Sequence, residues 1–350
     1  MQASGRSIRW VQIVVALAVL MLLTWYLNSS HAEMVAQQSA HPGFIVIDPP
    51  EEVSALAIQG DTVWAGGADG LFRIDRHTYE VLAQTPDERS FRYARAILVD
   101  RFGRIWVGHD QGISWLSDGH WLTLTKMDGL PDSRVNTLAE DPSGVLWAGT
   151  WGGAVQIALN ADAPKAPIIG TWTRSDGLLS DIVHVILPDS RGGIWFGSCN
   201  SRGGISYLSA DGKWSYWTVA DGLPHEYVTS IYQDQMQDVW VGTGLLSEGG
   251  AAVFHYAGGV WSLARTLTRA DGLAGEKVRS IFQDQDQWMW LGSEYDGVAI
   301  FGTGGVTRLD QTSGLSDNEV KVMVQDQDGQ VWIGTRYGVT VIQETQGAIK

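Results

Sequence analysis

The motif Trp-x-Gly recurs at seven regularly spaced positions along the chain, and its spacing restricts the fold more than any other feature. Its tryptophans are Trp64, Trp106, Trp147, Trp195, Trp240, Trp290 and Trp332, separated by 41 to 50 residues. A period of that length is typical of folds in which each repeat forms one small structural unit. The spacing therefore predicts a repeat architecture, and we expect function at the positions that depart from the repeat.

The third repeat indicates what the repeated unit is. Residues 135–140 and 145–150 are rich in β-branched and apolar residues, and the Asp-Pro-Ser-Gly sequence at 141–144 has the composition of a tight turn. Residues 154–159 and 169–173 have the composition of a third and a fourth strand. Each repeat therefore predicts one four-stranded antiparallel sheet.

A single sheet of this kind would expose apolar faces and strand edges, and radial stacking of successive sheets covers both. Seven repeats in residues 43–350 therefore predict an all-β fold, a closed seven-bladed β-propeller. The repeated tryptophan would lie between neighbouring blades, and the glycine two residues later would let the next blade approach closely. The last repeat provides only three strands, so we expect residues 43–48 to pair beside residues 338–342 and close the ring.

The N-terminal region has the pattern of a membrane-targeting segment. Arg6 and Arg9 precede residues 10–27, an apolar stretch just long enough to span a bilayer. Because basic residues favour the cytoplasmic side, we expect a cytoplasmic N-terminus at 1–9, a transmembrane signal anchor at 10–27, a linker at 28–42 and a periplasmic or extracellular propeller. The alternative is a signal peptide cleaved near Ala32, which would release a secreted propeller.

Composition excludes several classes of function. A net charge of −15 argues against nucleic acid as a partner, because binding a phosphate backbone needs an excess of basic residues. Cys199 is the only cysteine, so no internal disulfide and no cysteine-based metal cluster can form. The histidines show no metal-binding spacing, and no Ser-His-Asp or Gly-x-Ser-x-Gly arrangement is present. We therefore expect a non-enzymatic protein with no catalytic residues, no metal and no cofactor.

The repeat has a specific internal pattern. In the fifth repeat Asp221-Gly222-Leu223-Pro224 is followed by Val228, Ile231, Asp234 and Trp240-Val241-Gly242-Thr243, and the seventh repeat keeps the same order. This pattern resembles the two-component regulator propeller repeat over nearly everything after residue 43. The resemblance implies a sensing domain of a membrane-bound histidine kinase, a class that often binds saccharide fragments. The sequence contains no kinase, receiver or DNA-binding segment, so we expect the sensor module alone, with a saccharide or peptide ligand or a membrane sensor protein as its partner.

One rim of the predicted propeller is the candidate binding face. In a four-stranded meander, the turns after the second strands and the connections between blades lie at the same end, which we call the candidate rim. Loops on a rigid scaffold are where function usually concentrates, and these loops differ most between repeats. Their aromatic and charged residues suit a sugar or peptide ligand, and we select Trp151, Tyr295, Arg336 and Tyr337.

A second signal comes from the inner strands, at the position after the first valine or its equivalent. These residues, which we call the collar, are Arg95, Asn136, His184, Thr229, Arg279 and Lys321. If they face the axis, their cations would attract a carboxylate or sulfate group, and we add Arg95, His184, Arg279 and Lys321 to the candidate ligand-binding residues. The alternative is that the cations pair with Asp and Glu of neighbouring strands.

Other classes of function stay open at this point. Asp181, Glu226 and Glu276 could share a cation as oxygen ligands. A lyase similar to the streptogramin-inactivating enzyme, also a propeller, would need a metal with a paired histidine and carboxylate, for which His184, His225 and Glu226 are available. A third class is a scaffold in a membrane protein complex. We favour the binding protein over both, because a shared fold does not imply shared chemistry.

Overall fold

The computed structural model describes residues 42–160 and 166–343, which form seven four-stranded antiparallel sheets. Blade 1 contains β2 (Ala55–Gln59), β3 (Thr62–Gly67), β4 (Gly70–Asp75) and β5 (Val81–Leu82), and blade 2 contains β6 (Ala96–Val99), β7 (Ile105–His109), β8 (Gly112–Ser117) and β9 (His120–Leu124). Blade 3 contains β10 (Val135–Glu140), β11 (Val145–Thr150), β12 (Gly153–Ala158) and β13 (Ile168–Trp172), and blade 4 contains β14 (Val183–Pro188), β15 (Ile194–Ser198), β16 (Gly204–Leu208) and β17 (Trp214–Trp217).

The remaining blades have the same order of strands. Blade 5 contains β18 (Val228–Gln233), β19 (Val239–Leu245), β20 (Glu248–Ala257) and β21 (Val260–Leu267), and blade 6 contains β22 (Val278–Gln283), β23 (Met289–Ser293), β24 (Val298–Gly302) and β25 (Gly305–Leu309). Blade 7 contains β26 (Val320–Gln325), β27 (Val331–Thr335), β28 (Val339–Ile342) and, as its outer strand, β1 (Phe44–Ile47). First strands of neighbouring blades are in contact all around the ring, and β26 meets β2. The predicted seven-bladed β-propeller is confirmed.

The repeated tryptophan lies between blades, as predicted. All seven are buried, and Trp290 packs in one apolar cluster with Val320 and Ile333 of the next blade. The following glycine is required by the approach of that blade: a Cβ at Gly292 would lie 2.6 Å from Val320 Cγ1, and one at Gly197 would lie 2.5 Å from Val228 Cγ1. No side chain fits there without displacing the neighbouring blade.

The tryptophans also bind the turn of their own hairpin. In six blades the indole N–H donates to the aspartate that begins the turn between the first and second strands, six residues earlier in the chain. The pairs are Trp106–Asp100, Trp147–Asp141, Trp195–Asp189, Trp240–Asp234, Trp290–Asp284 and Trp332–Asp326, at 2.8–3.0 Å. In blade 1, where Gly60 and Asp61 alone link β2 to β3, Trp64 donates to Gln59 at 3.0 Å instead. The conserved geometry ties each buried tryptophan to a turn carboxylate or amide.

The predicted closure of the ring is confirmed, because β1 pairs with β28. Phe44 lies opposite Ile342 and Ile47 opposite Val339 in the β1–β28 pair. Arg76 of blade 1, whose side chain is only 2% exposed, reinforces the seam by pairing with Asp326 at 3.6 Å and with Asp328 of blade 7. Tyr79 donates its hydroxyl to Gln330 at 2.7 Å across the same seam. The two ends of the described chain leave together, since the Gln343 N–H donates to the Gly43 carbonyl at 2.9 Å.

Short 3₁₀ helices begin five of the connections between blades. Their bounds are Lys126–Asp128, Arg174–Asp176, Val219–Asp221, Arg269–Asp271 and Gln311–Ser313. In the third, Asp221 accepts hydrogen bonds from both the backbone N–H and the hydroxyl of Thr218, each at 2.9 Å, and Gly222 follows with a φ of +100°. The Asp-Gly-Leu sequence is thus a capped turn that directs the chain onto the candidate rim. A helix at Pro86–Ser90 takes the corresponding place before blade 2.

The N-terminal predictions concern residues that the structure does not describe. The expected cytoplasmic segment at 1–9, the membrane segment at 10–27 and most of the linker at 28–42 lie outside residues 42–160 and 166–343. Within those described ranges, no helix is long and apolar enough to cross a membrane.

Candidate functional site

The collar residues project from a repeated irregularity in the inner strands. In blades 3 to 7 the first strand has a β-bulge, at which one residue is skipped in the pairing with the second strand. The bulge directly follows the first valine of each strand, which is Val135, Val183, Val228, Val278 or Val320. The skipped residues are Asn136, His184, Thr229, Arg279 and Lys321. A bulge of this kind re-aims a side chain, and bulges are common beside functional sites.

These side chains converge on one cavity of about 560 Å³ in the middle of the candidate rim. Besides all six collar residues, its lining includes Trp151 and Cys199 from turns after second strands and Glu52, Tyr93 and Ile182 from connections between blades. Ser54, which follows Val53 and is the collar equivalent of blade 1, completes the circle. The structure therefore brings Arg95, His184, Arg279, Lys321 and Trp151 together, as the sequence interpretation required.

The collar cations are not free, and on this point the alternative interpretation is correct. Arg95 pairs with Asp110, and Arg279 pairs with Glu294 and with Glu319, the latter at 3.4 Å. Lys321 lies 2.8 Å from Glu52 and 3.3 Å from Glu319. Although burial acts to raise the pKa of Glu52, the hydrogen bond and the charge of Lys321 hold it below its ordinary value.

The cations nevertheless line the cavity, and most of their partners are not part of its lining. Arg95, Arg279 and Lys321 line the cavity, whereas Glu52 is the one carboxylate among the lining residues, so the lining carries a formal charge of +2 with His184 neutral. Asp110, Glu294 and Glu319 hold the cations in place from outside the lining. Cations paired in this way are held in fixed positions on the cavity wall, where a ligand carboxylate can join the ion network.

The pKa of His184 is affected by the same nearby cations. Burial lowers its pKa to about 4, and the charges of Arg279, Lys277 and Arg95 act in the same direction. Its ring has no hydrogen-bond partner among the residues that the structure describes, so it offers a neutral donor and acceptor to a ligand. The Ser230 hydroxyl also lacks a partner there, but it is buried beside Gly242 and is not exposed to the cavity. Unpaired polar atoms on a cavity wall are suited to bind a polar ligand.

Cys199 is the other titratable group on this wall. Burial raises the pKa of its thiol, against the opposing effects of Lys277 and Arg279. The neutral thiol is therefore the form present near neutral pH, and Cys199 contributes a small, weakly polar surface to the cavity.

Two aromatic side chains stand at the mouth of the cavity. Trp151 is 42% exposed and follows the second strand of blade 3. Tyr93, also 42% exposed, precedes blade 2, with the Arg95 guanidinium 5.4 Å from its ring centroid. Sequence reasoning missed Tyr93 because it considered the position after the first valine and not the position before it. The latter also holds Glu52, Lys277 and Glu319, of which Glu52 and Glu319 pair with collar cations.

The other predicted rim residues lie apart from the cavity. Tyr295 and Tyr337 are about half exposed, and neither they nor Arg336 belong to the cavity lining. The Arg336 guanidinium lies 5.5 Å from the Tyr337 ring centroid. These three side chains occupy the same rim on blades 6 and 7, and their role in ligand binding stays a prediction.

The residues considered for metal chemistry are engaged elsewhere. Glu276 pairs with Arg269 at 3.2 Å, and Asp181 accepts the backbone N–H of Arg174 at 2.8 Å. His225 is buried, and its Nδ1 accepts the N–H of Tyr227 at 3.0 Å. Within the described residues, no group of three or more His, Cys, Asp and Glu side chains is placed to hold a metal ion.

The match to a known repeat covers the blades that supply most of the collar. The sequence profile described as "two component regulator propeller" matches residues 129–152, 177–200, 222–244, 272–295 and 314–337. Each match runs from the glycine after the capped turn, through the collar, to the turn or strand end that follows the buried tryptophan. Five of the seven blades carry the two component regulator propeller repeat. Blades 1 and 2 of this propeller lie outside the matched segments.

Solved structures share the fold of this two component regulator propeller. The extracellular domain of a putative hybrid two component system from B. thetaiotaomicron is 20% identical with a TM-score of 0.74, covering 87% of this chain and 42% of that one. The chain thus spans about two fifths of that protein's length. A streptogramin B lyase is 16% identical with a TM-score of 0.62, covering 86% and 98% of the two chains. PorZ, a surface component of the type-IX secretion system of Porphyromonas gingivalis, is 15% identical with a TM-score of 0.63, covering 84% and 47%. No curated protein sequence is significantly similar to the chain.

Proposed function

We propose that this propeller is a non-enzymatic, extracytoplasmic binding module that recognises an acidic saccharide in the cavity of the candidate rim. The observation that carries the proposal is the convergence of Arg95, Arg279 and Lys321 with the aromatic side chains Tyr93 and Trp151 around one opening. Guanidinium and ammonium groups bind carboxylates, and aromatic faces bind the apolar face of a sugar ring. A hexuronate carries both groups on one ring.

The size and polarity of the cavity suit such a ligand. A volume of about 560 Å³ lies within the range of about 300–1,000 Å³ that is usual for small-molecule sites. The His184 ring on the wall, which has no partner among the described residues, can bind a sugar hydroxyl. Because the collar cations are already paired, we expect the carboxylate to add to the existing ion network and not to neutralise isolated charges.

The placement of the chain ends supports a site that is open to the surroundings. β1 is the outer strand of blade 7 and runs from the opposite rim toward the candidate rim, and Gln343 lies beside Gly43 at its start. Anything joined to residues 42 or 343 therefore departs from the rim opposite the cavity. With residues 10–27 anchored in a membrane, the cavity would face away from it. The similarity to an extracellular domain agrees with export of the propeller.

The proposal is tested by binding of the purified full-length chain to an array of acidic and neutral oligosaccharides and peptides, with and without EDTA. We expect retention of hexuronate oligosaccharides over their neutral counterparts, unaffected by EDTA and weakened about tenfold by Arg95→Gln. Arg92→Gln is the matched control, since Arg92 also lies over the Tyr93 ring, at 5.9 Å, but does not line the cavity. Retention of peptides alone, EDTA-sensitive turnover, or no retention of any glycan would overturn the proposal.

A further inference from the structure

We propose that Arg134 and Asn136 are positioning residues that fix the Trp151 indole as a rigid stacking face for a pyranose ring. The inference rests on the proposed function and adds to it which surface the sugar ring contacts. Among the residues that the structure describes, Trp151 is the only tryptophan in the cavity lining. It follows the repeated tryptophan of its blade by four residues, and the other blades have at that position Ala68, Asp110, Cys199, Gly244, Glu294 and Arg336. It is therefore a feature of this chain and not of the repeat.

The indole N–H is already bound within the protein. Nε1 of Trp151 donates to Oδ1 of Asn136 at 3.0 Å, while Nδ2 of Asn136 donates to the Val183 carbonyl at 2.9 Å. The Asn136 amide is thus fixed by blade 4 at one end and fixes the indole at the other. Because Asn136 is the bulged collar residue of β10, the irregularity of the inner strand places it where it can reach the turn.

One face of the indole is covered. The Arg134 guanidinium lies 4.0 Å from the ring centroid, within the range of a strong cation–π contact. Asp132 holds that guanidinium through Nε at 2.9 Å and the second nitrogen at 3.3 Å. The Trp151 backbone N–H also donates to the Arg134 carbonyl at 3.2 Å. The ring is therefore held by its N–H, by one face and by its backbone.

The part of the ring that Arg134 does not cover stays available to a ligand, since Trp151 is 42% exposed and lines the cavity. With its N–H engaged, Trp151 cannot contribute a hydrogen bond and offers an apolar surface alone. A surface held in advance of binding loses little conformational freedom when a ligand stacks on it, so affinity is gained from preorganisation. The carboxylate of the same ligand would then reach the cations that line the cavity.

The first arm of the test does not depend on a ligand. In the full-length chain labelled with 5-fluorotryptophan, the ¹⁹F resonance of Trp151 is assigned as the line lost in Trp151→Phe. We expect one narrow line in the wild-type chain, and a shifted, broadened line in Arg134→Ala and in Asn136→Ala. Arg336→Ala is the matched control, because it removes a guanidinium from an aromatic ring of the same rim outside the cavity. A Trp151 line unchanged in both test variants would overturn the positioning role.

The second arm measures binding of tetragalacturonate by calorimetry. We expect Trp151→Ala to lose at least tenfold in affinity and Arg134→Ala to lose about three- to tenfold. Trp151→Phe, which keeps an aromatic face but lacks the N–H that Asn136 binds, should lose less than Trp151→Ala, about three- to tenfold. Full affinity in Trp151→Ala would overturn the stacking role while leaving the proposed function intact. No binding of tetragalacturonate by the wild-type chain would overturn the stacking role and count against the proposed function itself.

Discussion

At the scale of single residues, the tryptophan that repeats along the chain has two tasks. It fills the space between blades, which its period alone predicts, and its N–H holds the aspartate of the hairpin turn, which the period does not predict. The separation of six residues between Asp284 and Trp290 is visible in the sequence. That the two side chains meet depends on the register of the hairpin, in which Gln283 lies opposite Met289.

We expect Trp290→Phe to destabilise the protein more than Trp64→Phe does. Both variants have the smaller ring, but in Trp290→Phe a buried carboxylate also loses its donor, which should cost about 1–3 kcal/mol more. Burial already raises the pKa of Asp284, so its charged form is disfavoured and loses further stabilisation when the Trp290 hydrogen bond is removed. Trp64 donates instead to the uncharged Gln59 amide. Urea denaturation of both variants provides the comparison, and equal losses would show that the carboxylate is not the cause.

Two histidines make stability depend on pH. Burial lowers the pKa of His184 and of His109 to about 4. As the pH falls, each histidine takes up a proton near pH 6.5 in the unfolded chain but only near pH 4 in the folded protein. The free energy of unfolding is therefore at its full value above pH 6.5 and decreases as the pH falls toward 4. At pH 5 the loss is up to about 2 kcal/mol for each histidine. Denaturation at pH 7 and pH 5 should show it, and His184→Gln should reduce the difference; an unchanged difference would contradict this assignment.

At the scale of strands, the collar shows both what a sequence pattern predicts and where it stops. The position after the first valine identifies six of the residues that face the cavity, because the repeat makes equivalent positions comparable. The bulge that aims five of them, in blades 3 to 7, is a mismatch between two strands and has no signature within one strand. The blade 1 member, Ser54, escapes the pattern since Val53 precedes β2 and is not part of it.

The seam between blades 1 and 7 is the element on which ring closure depends. We expect Arg76→Met to destabilise the fold by about 2–3 kcal/mol, because it leaves the buried Asp326 carboxylate without its cation. The loss should be smaller than for a fully buried ion pair, because Asp328, the other partner, is half exposed. Arg101→Met is the control, since Arg101 joins blades 2 and 3 through Glu140 at the surface and should cost about 1 kcal/mol or less. Similar losses in the two variants, measured by thermal unfolding, would argue against a special role for the seam.

At the scale of the whole molecule, the period of the repeat was sufficient to predict seven blades and the strand that closes them. The partners of the collar cations were not predictable, because they come from different turns and blades that only the closed ring brings together. Glu319, from the connection before blade 7, pairs with Arg279 of blade 6 as well as with Lys321 of its own blade. Charge pairing is therefore a property of the assembled ring and not of the repeat.

Because the ends of the described chain meet, their position should matter little to the fold. We expect a circular permutant that joins Gln343 to Gly43 through a short Gly/Ser linker, and opens the chain between Asp211 and Gly212, to fold with a stability within about 1–2 kcal/mol of the parent. That turn is exposed and lies on the rim opposite the cavity. Circular dichroism and thermal unfolding are the measurements, and failure of the permutant to form a cooperative fold would contradict the proximity of the ends.

We propose that the acidic saccharide binds in the cavity and not on the outer part of the rim. Photoaffinity labelling of the full-length chain with a diazirine-bearing tetragalacturonate, followed by peptide mapping, tests it most directly. We predict saturable labelling of the segments around Tyr93, Trp151 and His184, which is displaced by unmodified tetragalacturonate and reduced in Arg95→Gln. Labelling confined to the segments around Tyr295 and Tyr337, or labelling that unmodified tetragalacturonate does not displace, would contradict it.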